Sequence, residues 1–562
     1  MTGPAALRLI GPSVPDDLDP ATAHHDSTRQ LTRLFARCLF GYRAEPNLRD
    51  WQAIAPLPDL AVDIPSTYNT GMGARHVNNV VHLRPGIVWD ATPPRPVTAH
   101  DVVRGLKRLG NPVLRPAALP CFTSTIRGMA EFCEGYRAAL GSGEPSARDL
   151  ADYQNSHDIP GVFLLDDESL VIELTRPALD FAHLMAMPCA APAPVEYDAY
   201  IPGSPEMQRN LRSNGPYRPA GFQPGELLRF SRNPRWARET DPIRGQGVDA
   251  IEVLGEHAVP AGIEARIRSG TADLAWDGAV ADPSRTIDAD PGYALDPYLV
   301  FNLHSPNSGG AVGERDVRFA IACAVDKTAL LDLHDEHSPG TTALIARGVV
   351  PPGDDVHQEL DPHGTPGARS EADQARAALA AASRDTGLIL RGVHSDDPLT
   401  TVIARSCAHD LAAVGIVVEW TALPRNECHR VLGDPGQAHA GRWDLALAAR
   451  APAWPGAGGR GFLQTMFETN DSPGTGNCGR YCEPAFDRLV DQALGAVAEP
   501  ARARAYWQAA ERQVLADVAV VPLLFRKPLS PQLHAARVQP DGILPAAGYT
   551  LDLSLVRLVP SP

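Results

Sequence analysis

At 562 residues the chain is long enough for several ordinary domains or two large lobes, and its 44% hydrophobic and 21% charged content is that of a globular protein. A formal net charge of -16, with basic residues scattered singly rather than gathered into a stripe, argues against nucleic acid as a partner. The longest apolar runs, such as Leu184–Ala193, contain proline or fall short of the ~20 residues a membrane-spanning helix needs.

The chain then alternates strands with helices. "ALRLIGP" reads as a strand, "STRQLTRLFARCLF" (27–40) as a helix, "NNVVHLRPG" as a strand, "AHDVVRGLKRL" (99–109) as a helix and "LVIELTR" as a strand. Thr98 is a good N-cap for the helix at 99–109 and Asp101 suits its first turn, while Val102, Val103, Leu106 and Leu109 share one face. "ELLRFSRN" and the strand "GVDAIEVLG" follow, then "PAGIEARIRSGTADLAW", a helix that ends at Gly270 and leads into a strand. "ERDVRFAIACAVDKTALLDL" (314–333) reads as one long helix, followed by the strand "GLILRGVH", the helix "PLTTVIARSCAHDLAAVGI" and the strands "VVEWTAL" and "WDLALAAR". Two more helices, "PAFDRLVDQALGAV" and "PARARAYWQAAERQVLAD", precede the strand "AVVPLLFR". Strands joined by long helical crossovers imply an α/β architecture with sheets covered by helices.

Nine cysteines leave at least one without a partner in the chain. Cys478 with Cys482 in "NCGRYC", and Cys121 with Cys133, are the two candidate disulfides, the alternative being buried thiols. No C-x-x-C pair is present, and His334 with His337 in "HDEHSPG" has no identifiable third ligand, so no metal and no other cofactor is expected. Neither a G-x-S-x-G elbow nor a phosphate-binding G-x-x-x-x-G-K-S/T loop occurs, so an enzyme is not expected. The first residues, "MTGPAALRLIGPSVPDDLDP", lack a basic stretch followed by a sustained apolar one, so no secretory signal is read there.

The string "LRPGIVWDATPPRPVTAHDVVRGLKRL" resembles the "LR.GV.W.DG.P.TA.DVV" pattern of the extracellular solute-binding proteins of the peptide/nickel ABC-importer family. Six further landmarks follow that family's order. They are "VPDDLDPATAHHDSTRQLTRLFARCLFGY", "PDLA" (Pro58–Ala61), "SNGPYRPAGFQPGELLRFSRNPRW", "GERDVRFAIACAVDKTAL", "WDLALAARAPAWPGAGGRGFL", and the closing "FDRLVDQAL" through "AERQVLADVAVVPLL". The Ala-, Arg- and Pro-rich profile is also similar to homologues encoded with antibiotic pathways, including clavulanic acid biosynthesis.

The resemblance implies a two-lobed periplasmic-binding-protein type II fold with an additional α/β domain and a hinge between the lobes. Its landmarks put lobe I at 1–45, 190–300 and 527–562, the extra domain at 46–189 and lobe II at 301–526. It further implies that a ligand lies between the lobes, read by His24, His25 and Asp26, by Trp276 and Asp277, by Phe301 and Asn302, and by the stretch from Arg450 to Trp454. The implied ligand is an oligopeptide, a basic amino acid, an arginine-containing peptide or a peptide-like metabolite. An ABC permease in the membrane is the implied partner, the protein being a monomer that acts outside the membrane, with a cytoplasmic location left open.

One departure stands out. Peptide binders of this family anchor the ligand's α-amino group on an aspartate in the loop after "WDLAL", where this chain has Ala453 and carries no acid from Arg450 to Gly459. Asp26 or Asp277 could take that place, or the ligand could differ. The competing reading is a non-transport binding protein or an enzyme of a peptide-like antibiotic pathway.

Overall fold

The computed structural model describes residues 6–11, 17–22, 26–44, 54–114, 116–141, 143–223, 227–255, 260–276, 292–338, 341–360, 369–384, 387–454, 456, 459–469, 476–496, 498–527, 537–539, 542–544 and 550–559. The chain divides into two compact units, Met1–Pro291 with Leu529–Pro562, and Gly292–Pro528.

In the first unit a five-stranded sheet runs in the order Leu274–Ala275, Ala6–Gly11, Ala250–Gly255, Leu227–Arg232, Tyr217–Gln223. The "ALRLIGP" strand lies parallel to both of its neighbours, with Leu9 opposite Val253 and Leu274. Leu7, Leu9, Phe230 and Ile251 enter one core together with Leu34 and Phe35, whereas Ile10, on the other face, meets Ile263 and Ile267. That alternation is the period-2 pattern of a sheet covered on both sides. A separate antiparallel sheet pairs Ser169–Glu173 with Asn78–His82 and Val162–Asp166. Residues from 529 onward complete the unit: Arg33 pairs with buried Asp552 (2.8 Å), and Arg537 reaches Asp273 (2.7 Å).

In the second unit a larger sheet runs Ala343–Ile345, Leu524–Arg526, Ala294–Phe301, Leu445–Arg450, Leu388–Ser395, Ile416–Leu423, with Val520–Pro522 also on the Ala294–Phe301 strand. Leu299, Phe301, Leu445 and Leu447 pack on one face with the helices Arg315–Ala324 and Pro398–Ala412. Tyr298, Val300 and Ala446 pack on the other with Pro484–Gly495 and Pro500–Ala516.

Two expected helices differ from the structure. The helix expected over 27–40 occupies Asp26–Thr32, because the carbonyls of Leu34 and Phe35 leave the helical ladder to accept from Tyr217 and from Asn214 and Gly215. Cys38 therefore lies beyond the helix. The helix expected over 314–333 is two, Arg315–Ala324 and Lys327–His337, since Val325 is extended and the Asp326 side chain caps the second by accepting from Ala329 N (3.0 Å). Neither suggested disulfide forms: Cys133, Cys478 and Cys482 are free thiols. Burial pushes the Cys133 thiol up to about 12.

The sequence landmarks resolve into buried polar anchors. Asp101, 3% exposed, accepts from Trp89 Nε1, from both terminal nitrogens of Arg95 and from Thr98 N, each at 3.0 Å. Seven residues further along the same helix, Arg108 makes a two-point pair with Asp19 of the "LDP" motif (3.2 and 2.6 Å). Gly105, between them, lets the helix approach Ala191 so closely that an added Cβ would stand 2.3 Å from its carbonyl oxygen. The string from Leu83 to Leu109 is thus a clasp that ties the helix to two distant stretches of chain, at Asp19 and at Ala191.

The other motifs behave alike. Asp59 of "PDLA" receives Arg37 Nε (2.8 Å) and pairs with Arg244 (2.7 Å), all three being buried. Asp241 stands beside the same arginines; burial alone would raise its carboxyl, but Arg244 and Arg37 outweigh burial and hold it well below the usual range. In "SNGPY", Asn214 Oδ1 accepts from Arg37 N and the Ser213 hydroxyl donates to Tyr217 O. Arg318 of "DVRFA" donates to the carbonyls of Val312, Gly313, Asp517 and Val518. Asp444 of "WDLAL" accepts from Ser305 Oγ, Asn307 Nδ2 and Arg391 N. Buried charges need partners, and these find them in opposite charges, backbone carbonyls and backbone N–H groups.

Candidate functional site

Of the residues expected to read a ligand, His24, His25 and Asp277 lie outside the described residues, and Asp26 opens the helix Asp26–Thr32. Trp276 belongs to the first unit, is 2% exposed and packs in the core beneath the five-stranded sheet. Its backbone N–H donates to Ile10 O, and Gly11 makes room for its ring, since a Cβ there would stand 2.6 Å from Trp276 Cδ1.

Phe301, Asn302, Arg450 and Trp454 belong to the second unit. Phe301 and Arg450 lie on neighbouring antiparallel strands but at opposite ends, Phe301 facing Leu445 and Arg450 facing Leu295. Phe301 is fully buried in the core. Asn302 is also fully buried and donates through Nδ2 to Ala438 O (2.8 Å) and Trp443 O (2.9 Å), while its Oδ1 accepts from His304 N. Its amide thus fixes the turn before Asp444.

Arg450 ends its strand half-buried and donates to Thr465 Oγ1 (2.5 Å), with Gly461 O at 3.4 Å. Trp454, four residues on, is 4% exposed. Next comes a π-helix, Gly459–Gln464, continued by the helical turn Thr465–Phe467. Wide π turns are rare and recur at functional sites.

This turn carries a polar ladder not foreseen in the sequence. Arg460 Nε donates to Gln464 Oε1 (2.9 Å), and Gln464 Nε2 donates to Glu468 Oε2 (3.1 Å). An arginine can only donate, so the amide orientation follows: its oxygen faces Arg460 and its nitrogen faces the carboxyl. Burial pushes the Glu468 carboxyl up to about 7; Asp487 and Asp491 push the same way, while Gln464 and Arg460 oppose. Asn477 and Thr469 fasten the end of the ladder, the first donating to Glu468 O and the second to Asp487 Oδ1. The only sequence signal was the spacing of Arg460, Gln464 and Glu468 at intervals of four, which ordinary surface helices share.

His334 and His337 are engaged by protein groups. His334 is fully buried between Asp335 Oδ1 and Thr341 Oγ1, and His337 Nδ1 donates to Leu333 O. Among the described residues, no three His, Cys, Asp or Glu side chains gather in a group that could hold a metal.

The family model for bacterial extracellular solute-binding proteins, family 5, middle region, matches residues 79–472. The periplasmic oligopeptide-binding protein OppA of Salmonella typhimurium is 24% identical over 461 residues, covering 79% of this chain and 76% of that one. Probable di/tripeptide-binding protein 5 of Pseudomonas aeruginosa is 25% identical over 61% of this chain and 62% of its own. Among solved structures, "Clavulanic acid biosynthesis oligopeptide binding protein 2" is 26% identical, with a TM-score of 0.72 over 99% of this chain and 95% of that one. The murein tripeptide-binding protein MppA of Escherichia coli is 19% identical, with a TM-score of 0.77 over the full length of both chains. This last likeness gives the chain the type II periplasmic-binding-protein fold expected from its motifs. With its motif anchors formed and more than half its length matched, the chain belongs to the bacterial extracellular solute-binding proteins, family 5.

Proposed function

We propose that this protein captures a peptide or peptide-like solute outside the membrane and presents it to an ABC permease, binding without turnover. The observation that carries this reading is the match of the family model through residue 472, which takes in the stretch from Arg450 to Trp454. Relatives named for oligopeptides and for di- and tripeptides support the ligand class. In this reading the extra domain at 46–189 supports the first lobe. Trp276 and Trp454, both buried, brace the stretches that precede Asp277 and follow Arg450, and Asn302 holds the turn before Asp444. With no acid between Arg450 and Gly459, either Asp26 or Asp277 meets a ligand amine or the ligand differs from an ordinary peptide. A second reading, a binding protein serving a peptide-like antibiotic pathway, draws on the 26% identity to the clavulanic acid protein over almost the whole chain.

The test is the thermal midpoint against di- to nonapeptides with and without arginine, free arginine and lysine, sugars and Ni(II). A ligand at a hundred times its Kd adds about 2.7 kcal/mol. For a unit of this size that raises the midpoint by about 5–10 °C. A rise with peptides is expected; no shift with any peptide overturns the general peptide reading.

A further inference from the structure

The resemblance puts Arg450 in the ligand-reading stretch, yet the structure commits its guanidinium to Thr465 and Gly461. The Thr465 hydroxyl donates to Gly461 O (2.8 Å), so the Thr465 oxygen is left to accept from Arg450 at 2.5 Å. Thr465 is 1% exposed. Gly476 packs against the same place: a Cβ added there would stand 2.3 Å from Thr465 O and 3.6 Å from Arg450 Nη1. At the far end of the connection, Gly459 sits on Trp507 of the helix Pro500–Ala516, with room for no Cβ (2.2 Å from the ring). The connection that carries Trp454 is therefore fixed at both ends, by the Arg450 clip and by the Gly459 seat.

We propose that Arg450 is a positioning residue, which clips the start of the Trp454 connection to the π turn at Gly461–Thr465 and so sets the placement of the ligand-facing stretch. The binding arm of its test rests on the peptide reading above. The fork matters as much as the charge, because a lysine offers a point charge where the guanidinium presents planar paired donors. Supporting groups of this kind hold a recognition side chain without touching the ligand.

The test uses the full chain with R450A, R450K, T465V and R450A/T465V. Hydrogen exchange of the amides between 451 and 469 is read without ligand, and affinity is read calorimetrically for trialanine and its C-terminal amide. R450A and T465V are each expected to speed exchange in this stretch by about tenfold, the double variant no more than either alone, with R450K rescuing only in part. Affinity is expected to fall by the same factor for the acid and the amide. Unchanged exchange in R450A overturns the proposal, and so does a loss confined to the free acid, which makes Arg450 a reader of the ligand carboxylate. If neither peptide binds the wild type, the peptide reading loses support while the exchange arm still decides this one.

Discussion

Removing one member of the Asp19–Arg108 pair tests whether the sequence landmarks act as structural anchors. The Asp19 side chain is fully buried and that of Arg108 is 7% exposed, so neither charge has water to fall back on. Burial opposes the Arg108 charge, but Asp19 outweighs it, so the cation persists in the fold. It also lies 5.1 Å from the Tyr197 ring centroid. D19N takes away the carboxylate paired with that cation, leaving Asp17 as a weaker acidic neighbour, and R108M leaves the Asp19 carboxylate with Ala21 N as its backbone donor (3.1 Å). Each is expected to cost about 3–5 kcal/mol, the range for breaking a buried pair from one side. D19N/R108M removes both charges and is expected to cost only about 2–3 kcal/mol, so the singles and the double differ by a coupling of roughly 5 kcal/mol. Exchange mass spectrometry across a urea series, read on peptides from Ala99–Leu109, reports on the first unit separately from the second. Additive losses, or a single loss below about 1 kcal/mol, refute the anchoring argument.

Three further outcomes are expected. Because the Glu468 carboxyl is raised from its ordinary 4.5 to about 7, the native state holds a proton that the unfolded chain has released. Its stabilising contribution is therefore complete below pH 4.5 and lost as pH rises through 7; relative to E468Q, the second unit should weaken by about 2 kcal/mol between pH 5 and 8, with partial exposure trimming the full effect, and parallel urea curves at all pH values would contradict this. Alanine normally stabilises a helix relative to glycine, yet G105A should destabilise the first unit by about 1–3 kcal/mol through the clash with Ala191 O, and an unchanged urea midpoint would remove that contact from the account. With a thiol reagent, exposed Cys482 should react first and half-buried Cys478 more slowly, the seven buried cysteines reacting only on unfolding; fast labelling of those seven in the folded chain would contradict their burial.

The anchors were legible because a buried carboxylate tolerates few substitutes: Asp19, Asp59, Asp101 and Asp444 all stood in quoted motifs, and each collects several donors or charged partners. Helix ends were less legible, since Leu34 and Phe35 leave the helix for partners nearly two hundred residues away. The site was least legible. Arg450 looks like a free charge in "LAARAPAW", and only the π turn, which has no ordinary periodicity, brings Thr465 under it. The Glu468 ladder was hidden for the same reason: its spacing is commonplace, and burial, which raises its carboxyl, is a property of the folded chain.

The division of the chain sets an order of assembly. The second unit is one continuous run inside the first, so a growing chain emerges with Gly292–Pro528 whole while the first unit still lacks its closing segment. Until that segment arrives, Arg33 has no Asp552 and Asp273 has no Arg537. The half of the protein that is begun first is thus finished last, and a stop codon placed after Pro528 would injure that half while leaving the later-begun half entire.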